Sequence, residues 1–225
     1  MSLIACGPGE QHANVRLLAI YFIILAATLA ACVLVFAGTA VTLKLDRRRL
    51  AAGTVLALLI FAAICITRPG SWIVSTGAVL VTAIFAGTAI GRSIKSEPSL
   101  IAMCVAAAVA DVVSVSVGLT HKMFAGYTSG QSQLLVYFCF SVPIGNVIAP
   151  LVGLGDLLIM GALFCGLRNL TYAATETFAV PVTGLLAALV IGLAVRHGVP
   201  ALPFMAGSVA IYILARRKAA RFEQS

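Results

Sequence analysis

The chain has 225 residues, of which 61% are hydrophobic and 10% charged, with a mean hydropathy of +1.10. Soluble domains carry about 25% charged residues, so the composition excludes a soluble globular protein and points to an integral membrane protein. The net charge of +8 does not argue for nucleic acid, because the basic residues collect in the connections and the C-terminal tail, where they act as topology signals beside anionic lipid headgroups.

At roughly 20 residues per span the length accommodates seven or eight spans and no separate soluble domain. Residues up to Arg16 are polar and read as a short outer arm. The first span is expected over Leu17–Leu43, ending at the basic loop Lys44-Leu45-Asp46-Arg47-Arg48-Arg49. A second, Leu50–Thr67, stops at the turn signal Arg68-Pro69-Gly70. The third begins at the interfacial Trp72 and runs to Ile90, and a fourth, Ser99–Thr120, follows Pro98.

His121–Gln133 reads as a semi-polar linker, and Leu134–Ile144 as a short re-entrant or surface segment. The fifth span is expected over Val147–Leu167, the sixth over Thr177–Val195 up to Arg196-His197-Gly198, and the seventh from Val199 to Ala215. Glu176 falls at a helix N-terminus, where negative charge is favoured, and His121 and His197 fall at membrane ends. Five of the six cysteines lie in apolar runs and read as small buried hydrophobes.

Charge bias orients this all-α bundle. With the N-terminus outside, eleven basic residues lie in inner loops, and four (Arg16, Arg68, Lys122, Arg196) lie outside, accounting for all fifteen. The bias predicts an external N-terminus and a cytoplasmic C-terminus. Residues 1–98 form a membrane scaffold of three helices and 99–225 the part that carries the chemistry, within one compact membrane domain.

Only two of the seven acidic residues, Asp111 and Asp156, fall inside spans. Ionisable groups there are costly and mark function. Each stands eleven or twelve residues from the inner end of its span, a depth of about 17–18 Å on antiparallel helices. Two carboxylates brought together share one proton; the charged one activates water and the neutral one polarises a carbonyl. Gly153 and Gly155 remove side chains beside Asp156 and allow another backbone to approach. Pro200 and Pro203 flank Ala201-Leu202, a non-helical backbone near the same level, tolerated only against protein or a wet cavity.

Asp111 in one span, Gly153-Leu154-Gly155-Asp156 in the next and Pro200-Ala201-Leu202-Pro203 before the last together resemble the presenilin and signal peptide peptidase family. Val112-Val113-Ser114-Val115 and Thr120-His121-Lys122-Met123 resemble its archaeal members. The resemblance covers Ser99 to Ala215. It implies a presenilin-like bundle and a diaspartyl intramembrane protease with Asp111 and Asp156 catalytic. Gly153, Leu154, Gly155, Pro200, Ala201 and Leu202 would shape the site, and no metal or organic cofactor is implied. The implied substrates are transmembrane helices or signal peptides. Two features depart from the family: Ala110 stands where a Tyr usually precedes the first Asp, and seven spans replace the usual nine. The expected orientation is that of signal peptide peptidase.

Two other readings use the same residues. Prepilin and preflagellin peptidases also carry a GxGD motif but cut at the inner membrane face. Paired intramembrane carboxylates also serve proton-coupled transporters, which commonly show internal repeats; none is visible between the two halves.

Overall fold

The computed structural model describes residues 8–67, 71–130, 134–145, 147–195 and 199–222. The readings made at Arg68-Pro69-Gly70, Asn146, Cys6 and Arg196-His197-Gly198 fall outside them, as does the side chain of His121. Nine helices and one hairpin follow in order among the described residues: α1 (Pro8–Thr42), α2 (Arg47–Thr67), α3 (Trp72–Gly91), α4 (Glu97–Ser116), α5 (Leu119–Thr128), α6 (Leu134–Phe138), β1 (Cys139–Ile144), β2 (Val147–Gly153), α7 (Leu154–Asn169), α8 (Ala174–Val195) and α9 (Leu202–Phe222). Five helices are long and apolar enough to cross a membrane: Leu18–Thr42 within α1, then α2, α3, α4 and α8. Two others, α7 with 16 residues and α9 with its basic C-terminal turns, pack into the same bundle.

Capping chemistry moves several helix starts ahead of the apolar runs. Asp46 Oδ1 accepts the Arg49 N–H at 3.3 Å, so α2 begins in the basic loop. Ser96 Oγ accepts the Ser99 N–H at 3.4 Å, with Pro98 in the first turn of α4. The N-terminal residues from Pro8 are helical, not an irregular arm, and the basic tail continues α9 to Phe222. The fourth span ends at Ser116 instead of Thr120, because Gly118 turns back and donates its N–H to the carbonyls of Val113 and Ser114, each at 3.1 Å. Ser114 and Thr120 hydroxyls pair across that turn at 2.7 Å. The expected linker is therefore largely helix α5.

The largest departure concerns residues 134–153. The expected re-entrant segment and the start of the fifth span fold instead as the short helix α6 and an antiparallel hairpin pairing Ile144 with Val147. Gly145 (φ +62°) supplies the left-handed turn residue. Pro143 and Pro150 disfavour a helix here, and β-branched neighbours suit strands. A bulge between Phe140 and Ser141 brings Cys139 opposite Gly153. Helix α7 starts only after the hairpin, at Leu154.

The centre of the bundle is the α3–α7 contact. A Cβ on Gly87 would lie 2.6 Å from the Leu158 carbonyl oxygen, and one on Gly161 3.2 Å from that of Ala83. The two backbones thus touch through small residues, which gives close van der Waals packing where lipid offers no hydrophobic gradient. Phe164 of α7 joins this pair to α1 and α8, its ring centroid 5.2 Å from Phe36 and 5.9 Å from Phe178. Gly184 lets α8 approach α9, since a Cβ there would lie 2.6 Å from the Phe204 carbonyl oxygen. The scaffold and the site-bearing part of the chain share this core.

Polar ties gather several connections at one end of the bundle. Arg92 donates to the Leu43 carbonyl and, at 2.5 Å, to that of Leu45, closing α1 onto α3. Asn169 at the end of α7 donates to the Gly91 carbonyl at 3.1 Å. Arg217 pairs with Glu97, joining α9 to α4, and Arg216 lies 3.5 Å from Glu176, joining α9 to α8. This is the end to which the charge bias assigned the inner loops.

Candidate active site

Asp111 sits on the C-terminal half of α4, fourteen residues from Glu97, about 21 Å along the helix axis. Its carboxylate turns to the segment before α9. The Leu202 N–H donates to Asp111 Oδ2 at 3.0 Å. The local sequence explains the arrangement. Pro200 holds the chain extended, Pro203 occupies the first turn of α9, and the amides at the start of α9 have no carbonyl partner within their own helix. A carboxylate answers the first of those donors.

Asp156 stands in the first turn of α7, not at mid-helix as expected, because the hairpin takes the first seven residues of the predicted span. Its Oδ2 accepts the Gly153 N–H at 3.2 Å, so it caps its own helix. It lies thirteen residues from Asn169, about 20 Å along the axis of α7, against the 21 Å between Asp111 and Glu97 on α4. Asp111 and Asp156 are close enough to repel one another electrostatically. Both side chains are half-buried.

The two glycines differ from one another in what surrounds them. At the position a Cβ would take, neither glycine meets another backbone of this chain among the described residues. A Cβ on Gly153 would meet Asp156 Oδ2 at 3.1 Å, whereas one on Gly155 would meet nothing within 4 Å. Gly155 is exposed. The pair therefore keeps the ground beside Asp156 open instead of packing two helices. Leu154 is half-buried and packs at the edge of the core, and Leu202 is 7% exposed, its side chain in the core.

Sequence reasoning missed the neighbourhood of the hairpin. On β1, Thr76 of α3 takes both outward groups of Ser141: its Oγ1 accepts the Ser141 N–H and donates to the Ser141 carbonyl, each at 3.2 Å. That edge is sealed. On β2, the Tyr127 hydroxyl donates to the Ile148 carbonyl at 2.7 Å, and no third strand pairs among the described residues. The unpaired β2 edge leads directly to Gly153 and Asp156. Gly145-Asn146 between apolar runs was the available signal, a two-residue hairpin turn.

Among the described residues no three His, Cys, Asp or Glu side chains gather as a metal site. Cys32, Cys104, Cys139 and Cys165 are buried and free, and Cys65 is half-buried and free. Comparison of the chain with protein-family models, curated proteins and solved structures gives no match.

Proposed function

We propose that this chain is an intramembrane aspartyl endopeptidase of the GxGD type, hydrolysing a peptide bond within a transmembrane helix or signal peptide. One observation carries the reading: Asp111, bonded to the Leu202 amide at 3.0 Å, lies within electrostatic reach of Asp156. Closed on a scissile carbonyl, two such carboxylates would hold one proton between them. The ionised member removes a proton from water as that water attacks the scissile carbonyl, and the protonated member donates to the carbonyl oxygen. Collapse of the tetrahedral species then releases the amine, which takes up a proton from the dyad.

A helical substrate hides its carbonyls in its own hydrogen bonds and must unwind before it reacts. The open edge of β2 offers main-chain donors and acceptors to an extended segment. Gly155 supports the same reading, since a substrate backbone can run past Asp156 without meeting a Cβ. The Leu202 amide holds Asp111. The bundle is read as seven-pass, with its N-terminus outside and its C-terminus cytoplasmic, by the bias of basic residues.

The test is cleavage of a single-span model substrate by the purified chain in detergent or proteoliposomes. Asp111→Asn and Asp156→Asn should each lower the rate by about 10³-fold, a typical worth of general acid–base catalysis. Equal cleavage by the wild type and both variants rejects the reading. Cleavage only of a pilin-type leader at the inner face would favour the prepilin peptidase alternative. Proton-dependent solute flux without proteolysis would favour a transporter.

A further inference from the structure

The helix that carries Asp111 is attached to the bundle through α9. Helix α4 packs chiefly on α9 and meets α7, the Asp156 helix, only lightly. Its C-terminal half is largely free of protein neighbours: Val109, Val112, Val113 and Val117 are all exposed to the lipid side. The position of Asp111 relative to Asp156 is therefore set by how α4 lies against α9.

Two polar ties fix that pairing. One is the Leu202 amide on Asp111, described above. The other joins Glu97 at the start of α4 to Arg217 near the end of α9. Arg217 Nε donates to Glu97 Oε2 at 2.6 Å, and the Tyr172 hydroxyl donates to Glu97 Oε1 at 2.8 Å. Both carboxylate oxygens are thus held. The Arg216 guanidinium lies 4.5 Å over the Tyr172 ring and reaches Glu176 at 3.5 Å, so the anchor extends to α8. Burial, and next the bond to Glu97, push the Tyr172 phenol up to about 12, which keeps its donor proton in place at neutral pH.

The spacing of the ties matches. Asp111 is fourteen residues from Glu97 and Leu202 fifteen from Arg217, so the antiparallel helices carry their contacts about 21 and 22 Å apart. A slip of one helical turn would carry Asp111 about 5 Å from its amide partner. We propose that Glu97, Tyr172 and Arg217 form a positioning latch at the inner face, which sets the register of α4 on α9 and so holds Asp111 opposite Asp156. The latch touches neither substrate nor the reacting atoms. Its effect on turnover rests on the protease reading; its effect on helix position does not.

Two readouts on the full chain in nanodiscs separate these dependencies. Nitroxide labels at Val113→Cys on α4 and Val81→Cys on α3, both exposed, with native cysteines replaced by alanine, report the α4-to-core distance. Cleavage of the single-span substrate reports kcat and KM. Glu97→Gln should broaden and shift the distance distribution and lower kcat by about tenfold or more, as angstrom-scale misplacement does, with KM within about twofold. The exchange Glu97→Arg with Arg217→Glu should restore both. Tyr172→Phe, which keeps the ring beneath Arg216 and removes only the donor, should give an intermediate loss and serves if Glu97→Gln fails to fold. Wild-type distances and kcat in Glu97→Gln and Tyr172→Phe overturn the latch, as does an exchange variant that restores neither readout. Distances that respond as expected in a wild type that cuts nothing support the latch and reject the protease reading.

Discussion

The Leu202 amide and the Asp111 carboxylate form a 3.0 Å hydrogen bond between residues 91 apart in the chain. The bond converts the first amide of α9 into a clamp for one acid of the pair, while the Phe204 and Met205 amides of the same turn bond the Ala201 carbonyl. It also makes the proline-flanked segment part of the site's electrostatics as well as its shape. A carboxylate held by backbone donors keeps its orientation when its neighbour changes protonation state.

Removing that donor separates the backbone role of Leu202 from its packing role. Leu202→Pro deletes the N–H at the first residue of α9, where proline is tolerated. Leu202→Ala keeps the N–H and loses side-chain burial. The proline variant should cleave at least about tenfold more slowly than the alanine variant, since a preorganised donor is worth more than that at a reacting centre. Equal rates would assign Leu202 to packing alone.

The glycines divide into two mechanical classes. Gly155→Ala adds a methyl in open space, so its unfolding free energy should stay within about 1 kcal/mol of wild type. Its cleavage rate should fall, because the methyl enters the path beside Asp156. Gly87→Val, whose Cβ would lie 2.6 Å from the Leu158 carbonyl oxygen, should instead cost about 1–3 kcal/mol through overpacking of α3 on α7. Thermal unfolding in detergent alongside initial rates distinguishes the two.

The hairpin turn is a test of the β2 edge. Gly145 has φ +62° and no neighbour within 4 Å of a Cβ, so Gly145→Val acts through the backbone alone. It should destabilise the turn by about 1–2 kcal/mol and reduce cleavage more than it reduces global stability. Tyr127→Phe, which frees the Ile148 carbonyl, should leave unfolding unchanged and alter the distribution of cleavage positions, read by mass spectrometry of the products.

Orientation is accessible through single cysteines. Arg48→Cys in the first turn of α2 should resist a membrane-impermeant maleimide in intact cells and react after permeabilisation. Labelling in intact cells would invert the topology and, with it, the substrate polarity expected of the site.

The place of Asp111 within a helix and the ends of α2 and α3 were legible in the sequence because each depends on local signals: an apolar run, a cap, a basic stop. Asp156 was legible as a lone acid but not as a first-turn residue. Hydropathy rises equally for a short buried strand and for helix, and Val147–Gly153 was absorbed into the span that follows it. Helix α5 was hidden by its Gly and Thr content, although Leu119, Met123, Phe124 and Tyr127 recur at helical spacing. The Glu97–Arg217 pair joins positions 120 residues apart, and no local pattern announces a tie of that kind. The charge count draws on bulk composition alone, whereas partners are chosen by the folded backbone.

Helix α7 bears on how the protein is made. Its sixteen residues reach about 24 Å, short of the ~30 Å hydrocarbon, and a proline-bearing strand precedes it. Such a segment has little independent drive to enter lipid. Its glycine contacts and the Phe164 ring are complementary to α3 and α1, which leave the ribosome earlier. Insertion of the Asp156 segment therefore depends on a seat already present in the membrane. Substitutions along that seat, such as Gly87→Val, should deplete the mature protein during biosynthesis before any defect in chemistry can be measured.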